Sequence, residues 1–307
     1  MYLLKKPSYK IDDFYDELLI NRHNNEKNDF LITKLNTLKQ TLINAEEQYF
    51  NNGENNKLHE ITQESEINLP SRIDQVKNNK VTFKDIEKVY SNYFVEKPGS
   101  TKIGRVIYDS ILANAEYNLC PYCSHREVNT LDHYLPKSQF ITFAITPINL
   151  LPCCTDCNKE KLDTFSLKKE SMLVHPYFEN VDDFNWLHCV VKENVWPITF
   201  QYSISNNIQN KELESRIQYQ FILLGLGKLY GDNAGREFNR RVKSLVKEYN
   251  SKKSEEVSRF LEDNIESYKV AGRNSWQTKM FEALKESKWF ITEALSNLES
   301  FYLSSRK

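Results

Sequence analysis

Residues 120–161 read CPYCSHREVNTLDHYLPKSQFITFAITPINLLPCCTDCNKEK, and their spacing decides how the rest of the chain is read. Cys120 and Cys123 form one Cys-x-x-Cys pair, and Cys154 and Cys157 form a second. Each pair can close a tight turn that aims two thiolates at one point. Four thiolates around one ion make the closed tetrahedral site of structural zinc. Cys153 lacks the two-residue spacing to Cys157 and is expected to stand outside the set. The 30 residues between the pairs exceed what a minimal zinc ribbon needs, which points to a task for the insert itself.

That insert carries Asp132 and His133, and Asn158 follows directly on Cys157. Asp132 is a hard oxygen donor, suited to Mg²⁺ or Mn²⁺ rather than zinc. Histidine titrates near neutrality, at roughly 6.5 when unperturbed, so His133 suits a general base. A zinc-bound Cys157 would fix the Asn158 amide oxygen in space. Drawing 154–157 against 120–123 then brings Asn158 near Asp132, giving two oxygen ligands with positions open for water and a phosphate oxygen. A bare zinc module is the plainer alternative, with Asp132 and His133 in a polar loop and Asn158 as a helix N-cap. It accounts for the cysteines but not for the register of Asp-His, Asn149 and Asn158.

Cys-x-x-Cys, Asp-His-x-x-Pro and Asn-Leu-x-x-x-Cys-x-x-Cys-Asn-x-x-Lys together resemble the zinc-containing HNH endonucleases, the ββα-metal fold. The residues that carry the resemblance are Cys120, Cys123, Asp132, His133, Pro136, Asn149, Leu150, Cys154, Cys157, Asn158 and Lys161. It implies that Asp132 and Asn158 hold one divalent cation, that His133 activates water, and that Asn149 ties down the loop orienting the histidine. The family often ends its motif on His where this chain has Asn158. The motif spans about 40 of 307 residues and leaves the flanks open.

Composition is that of a globular chain, 27% charged and 40% hydrophobic, with a net charge of −1. That balance is unusual for a free-standing nucleic-acid binder, whose affinity comes mainly from phosphate neutralisation by Lys and Arg. A nucleic-acid face must be a local patch or belong to a partner. Five of the six cysteines lie within 120–157, unlike the spread cysteines of a disulfide-built secreted domain. With no signal peptide and no long apolar run, a cytoplasmic location and no membrane contact are expected. Cys189 reads as a buried small hydrophobe.

Around the central motif the pattern is helical, so the expected class is α+β: a nuclease core at 99–204 between helical regions at 1–98 and 205–307. Ile11, Phe14, Tyr15, Leu18 and Leu19 follow helical spacing, and a polar break covers Asn24 to Asp29. Leu31, Leu35, Leu38, Leu42, Ala45 and Tyr49 then form one heptad stripe, read as own-domain packing or as a docking face. A polar loop is expected at Asn51 to Lys57, with no assignment up to Asn79. Phe83 to Tyr93 and Thr101 to Tyr117 read as helices, the second with Val106, Ile107, Ile111 and Leu112 inward. Strands are expected at Glu127 to Tyr134 and near Ile145 to Leu151. A hairpin should pair Cys189 to Val191 with Ile198 to Tyr202. Leu213 to Leu224 and Asn233 to Tyr249 are helical, the latter with Arg236, Arg240, Lys243 and Lys247 on one face as a nucleic-acid footprint or a solvated surface. Trp276 to Tyr302 is a last apolar stripe, core or interface. Lys161 is a candidate phosphate contact or a solvated lysine, and His175 a candidate ligand or a structural residue.

The expectation is a phosphodiesterase that uses one Mg²⁺ or Mn²⁺ beside a structural Zn²⁺. It would leave 5′-phosphate and 3′-hydroxyl ends on DNA, with RNA chemically allowed. Core, helical flanks and neutral charge resemble the nuclease of Septu-type anti-phage operons, whose partner is an ATPase. A stand-alone structure-selective resolvase and a non-catalytic zinc-stapled adaptor are the rival readings. The chain has no phosphate-cradling Gly-Lys loop of its own.

Overall fold

A computed structural model describes residues 1–20, 26–68, 80–252, 254–270 and 272–303. It is a mixed α and β chain with three two-stranded antiparallel sheets among the described residues. Contacts divide it into two compact units, Met1–Asn180 and Val181–Lys307. The sequence-based boundaries at 98/99 and 204/205 are therefore not where the cores part.

The first unit opens with α1 (Ile11–Leu19), α2 (Glu26–Asn36) and α3 (Lys39–Glu54). Ile11, Phe14, Tyr15, Leu18 and Leu19 are all buried, as their spacing requires. The long stripe expected from Leu31 to Tyr49 is carried by two helices. At the break, Thr37 Oγ1 donates to Lys34 O at 2.7 Å and Leu38 N–H to Leu35 O at 2.9 Å. Leu31, Leu35, Leu38, Leu42 and Tyr49 are buried in their own unit, so the stripe is not a docking face. The helix α3 also runs through most of the polar stretch read as a loop, with Gly53 lying under the Phe178 ring. Of the polar break expected at Asn24 to Asp29, Asn24 and Asn25 lie outside the described residues and the rest is helical.

A short antiparallel pair, β1 (Glu66–Asn68) with β2 (Lys80–Thr82), precedes α4 (Phe83–Val89) and a π-helical turn, Tyr90–Val95. Thr82 and Asp85 cap α4, the Asp85 carboxylate accepting from the Thr82 backbone N–H at 2.9 Å. The next helix, α5 (Ile103–Leu112), stops five residues earlier than its pattern suggests. Ile107 and Ile111 are buried, but Val106 is exposed. These helices share one core with Leu131, Ile141, Ala144, Ile145 and Leu150. That shared core is why residues 1–98 are not a separate region.

The central element is β3 (Thr130–His133) paired antiparallel with β4 (Leu150–Cys153), followed at once by α6 (Thr155–Lys161). The register sets Asp132 opposite Leu151 and His133 opposite Leu150. β4 begins at Leu150, later than expected, because 141–149 fold into two 3₁₀ turns, the second starting at Pro147.

In the second unit, β5 (Leu187–Val191) pairs antiparallel with β6 (Phe200–Ile204), Cys189 opposite Tyr202; the two strands pair as expected, but the second begins at Phe200 rather than Ile198. Each strand buries alternate residues. The helices are α7 (Lys211–Leu223), α8 (Leu226–Lys252), α9 (Ser254–Lys269), which the apolar pattern did not reveal, and α10 (Trp276–Glu286). α8 starts seven residues before Asn233, and Gly225 with φ +60° makes the turn into it. The Trp276 to Tyr302 stripe is interrupted after Glu286 and continues through Phe290–Leu303 as α11 (Leu295–Leu298) between two π-helical turns. Trp276, Met280, Leu284, Leu295, Leu298 and Tyr302 are buried, so this stripe is core and not an interface.

Gly104 sets how closely α5 approaches the π-helical turn. A Cβ there would stand 2.2 Å from Tyr93 O and 2.7 Å from Phe94 Cα, both rigid backbone atoms. Gly104→Ala should therefore destabilise the protein by roughly 1–3 kcal/mol through overpacking. A urea midpoint unchanged from wild type would show that the turn yields freely.

Candidate metal and active site

Cys120, Cys123, Cys154 and Cys157 are buried, and their four Sγ atoms lie within 4.8 Å of one another. A tetrahedral zinc with Zn–S near 2.3 Å sets Sγ–Sγ distances at about 3.8 Å, so these donors could hold a zinc ion. Local backbone already points at the sulfurs. Arg126 N–H donates to Cys123 Sγ at 3.5 Å and Cys157 N–H to Cys154 Sγ at 3.4 Å. Arg126 and Asp156 pair across the two turns at 2.7 Å. With thiols this close, Cys154 is held below its usual range by hydrogen bonds from Cys120 and its neighbours, while hydrogen bonding to Cys120 pushes Cys157 up. Only a cation lets all four ionise together. Cys153 is buried in β4 with Sγ 3.9 Å from Cys120 Sγ, outside the four-sulfur set.

Cys154 caps α6, and that start carries Asn158 into the first helical turns beside β3. Asn158 is therefore inside the helix and not its N-cap. Its Nδ2 donates to Leu131 O at 3.5 Å, and Oδ1 has no hydrogen-bond partner among the described residues. Asp132, His133 and Asn158 line one cleft of about 550 Å³, walled by Tyr90, Val95 and Tyr108 and edged by Lys137, Lys159 and Leu162. The structure thus brings together the residues that the sequence singled out at 132, 133 and 158.

Lys161 is neither a phosphate contact nor a solvated lysine. It is 1% exposed, with Nζ 3.1 Å from Asp132 Oδ1 and 2.6 Å from His133 O. Tyr122 Oη donates to the other oxygen, Asp132 Oδ2, at 3.0 Å. Burial pushes the Asp132 carboxyl up from its ordinary value, and the Lys161 ammonium and the Tyr122 hydroxyl pull it back. Each carboxylate oxygen has a second lone-pair direction, so Asp132 keeps acceptor capacity beyond these two bonds. The cations that do line the cleft are Lys159, exposed on α6, and Lys137, paired with Glu87 at 3.7 Å.

The neutral state of His133 follows from its surroundings. Its Nε2 lies 2.8 Å from Ala144 O, a carbonyl that can only accept, so the proton sits on Nε2 and Nδ1 keeps the lone pair. Burial lowers its pKa to about 3, and Tyr90 packs edge-on at 4.6 Å. Asn149, fully buried, fixes the loop that supplies Ala144. Its Oδ1 accepts from Leu135 N–H at 2.8 Å, and its Nδ2 donates to Leu135 O and Phe143 O at 3.0 and 3.1 Å.

Other candidates fall elsewhere. His175 is buried, with Nε2 2.9 Å from Tyr49 Oη and Nδ1 accepting from Tyr177 N–H at 3.2 Å. Both nitrogens are engaged, so it is structural. Arg236, Arg240, Lys243 and Lys247 lie exposed along α8 in the second unit. Sequence reasoning missed Tyr122 and Lys137. Tyr122 sits between the first two cysteines, and its facing of Asp132 depends on the folded knuckle. No helix among the described residues is long and apolar enough to cross a membrane.

The chain is 26% identical over 221 residues to protein ea31 of Escherichia phage lambda, covering 67% of this chain and 73% of that protein. No protein-family profile matches, and no solved structure matches.

Metal analysis should find one zinc per chain, and Cys154→Ser should lose it together with cooperative unfolding, because metal-binding energy here is folding energy. Cys153→Ser should keep it. Zinc-free protein of unchanged stability would sink the assignment. A second expectation concerns acid. His133 titrates near 6.5 when unfolded and at about 3 when folded. The folded state binds fewer protons in between, so its contribution is full above the unfolded value and is lost as pH falls toward 3. Between neutrality and pH of about 5, this residue should remove about 2 kcal/mol. His133→Asn should lack that component in paired urea titrations.

Proposed function

We propose that the chain is a metal-dependent endonuclease of the zinc-containing HNH type, acting on DNA. The observation that carries this reading is the state of His133. It is held neutral, with its proton committed to Ala144 O and a lone pair left on Nδ1, and it lines the cleft that Asp132 and Asn158 also line. The strand-strand-helix order of β3, β4 and α6 beside four clustered thiols supports a ββα-metal core. The likeness to a phage protein is compatible with it and assigns no activity.

In this reading Asp132 and Asn158 hold one Mg²⁺ or Mn²⁺, which supplies charge stabilisation at the scissile phosphate and the departing 3′ oxygen. His133 takes a proton from the attacking water at Nδ1 and leaves a 5′-phosphate. Lys161 and Tyr122 orient the Asp132 carboxylate from behind, and Asn149 keeps Ala144 under the imidazole. Lys137 and Lys159 replace Lys161 as the phosphate contacts of the cleft. The exposed stripe of Arg236, Arg240, Lys243 and Lys247 suits a second phosphate track. A net charge of −1 gives weak long-range attraction to a polyanion. We therefore place the chain as the effector of a bacterial anti-phage system, with an ATPase partner delivering or licensing the nucleic acid. Both apolar stripes once open to such a partner are buried, so that contact falls on another surface.

Purified protein should nick plasmid DNA with Mn²⁺ or Mg²⁺, slowly by itself and faster with the product of the neighbouring gene. His133→Ala should cut turnover by roughly 10²–10⁴ while leaving zinc content intact. Asp132→Ala and Asn158→Ala should raise the Mn²⁺ concentration needed. Arg240→Glu with Lys243→Glu should slow cutting in a folded protein. Unchanged rates in His133→Ala would rule out the assigned base. Absence of cutting on DNA and RNA, with the partner present, would favour a zinc-stapled adaptor.

A further inference from the structure

Directly after Lys161 the chain turns sharply, and Leu162 occupies the corner. Thr164 N–H bonds to Lys161 O at 3.0 Å, closing a four-residue turn. Leu162 has φ 48° and ψ −138°, the first central position of a type II′ turn, which demands positive φ and is normally taken by glycine. The leucine side chain is also 70% exposed. Backbone strain and apolar exposure both destabilise the free chain, and so little burial does not offset them.

The corner is nevertheless braced on both sides. Leu162 N–H bonds to Asn158 O at 3.0 Å. The following Asp163 is gripped from the facing loop, its carboxylate accepting from Ser138 Oγ at 2.8 Å and its carbonyl from Gln139 Nε2 at 2.8 Å. The turn is therefore fixed in place and holds an apolar side chain outward. It does so on the rim of the cleft that Asp132, His133 and Asn158 line, with Lys159 beside it.

We infer that Leu162 is a wedge that enters duplex DNA next to the scissile phosphate and unstacks one base step. This rests on the nuclease reading of the cleft and adds how that cleft selects its substrate. An apolar side chain inserted between base pairs gains the burial it lacks in the free protein, and the opened step bends toward the cleft floor. Lys137 and Lys159 hold the phosphates while the leucine enters. Steps that are already weak, at a mismatch or an unpaired base, accept the wedge at lower cost, so the cleft prefers them over uniform duplex.

The test uses full-length protein and a duplex carrying 2-aminopurine at the cleaved step, whose fluorescence rises on unstacking. Binding is read in Ca²⁺ and cleavage in Mn²⁺, each on a perfect duplex and on one with a mismatch at that step. Wild type should brighten the probe in Ca²⁺. Leu162→Gly, which suits the turn, should keep or raise thermal stability, lose the fluorescence rise, and cut perfect duplex on the order of 10- to 100-fold more slowly. Its deficit should shrink on the mismatched duplex, and Leu162→Met should restore both signals. Equal loss on the two substrates, or no change in fluorescence between wild type and Leu162→Gly, overturns the wedge. A fluorescence rise in wild type with no cleavage, even when the product of the neighbouring gene is added, would sink the nuclease reading and leave insertion of Leu162 standing. Cleavage without any rise does the reverse.

Discussion

Water does not reach the ammonium of Lys161, and an ammonium stripped of water must be fully paired to be tolerated. Its partners are Asp132 Oδ1 and the carbonyl of His133, both on β3, while the lysine itself closes α6. One charge thus binds the helix carrying Asn158 to the strand carrying Asp132 and His133. Removing either partner from a pair of this kind strands a buried charge and costs about 3–5 kcal/mol. The thiol cluster works at the opposite end of α6, through Cys154 and Cys157. Held at both ends, the helix has no freedom to slide along β3, and the separation of Asp132 from Asn158 is set before any ligand arrives.

The thiol cluster and the Asp-His pair were legible because their signals are local. Two-residue cysteine spacing closes a turn by itself, and the register of β3 against β4 then follows from the joined ends. Lys161 was misread because its partners lie 28 and 29 residues away. Nothing near it in the sequence separates a buried lysine from a solvated one. Leu31 to Tyr49 read as one helix because the 3₁₀ turn at Leu38 leaves apolar spacing intact on either side of the break. The domain edges failed for a related reason. Ile11 and Leu150 are 139 positions apart yet lie in the same core, and helical periodicity reports which face is apolar but not what covers it.

In the proposed mechanism, little of the chemistry would reside in the reacting groups themselves. His133 is an ordinary imidazole until Ala144 takes its proton-bearing nitrogen, and Ala144 offers its carbonyl there only because Asn149 ties Leu135 to Phe143. Asp132 likewise is oriented by Tyr122 and Lys161. Asp132 and His133 are each fixed by a buried neighbour that is itself hydrogen-bonded, the kind of support a precisely held site needs.

Surface loops ordinarily accept extra residues, since lengthening them adds little entropy. The loop joining β3 to β4 cannot. Asn149 reads Leu135 and Phe143 by position, and Ala144 must stay in step with His133, so one inserted residue anywhere between 135 and 144 would slip that carbonyl out of line. In length and surroundings it is a loop, yet its tolerance is that of a paired strand. An epitope tag, a fluorophore or a split point therefore belongs in the 192–199 connection between β5 and β6, where Lys192 and Thr199 close the hairpin and the residues between are mostly exposed.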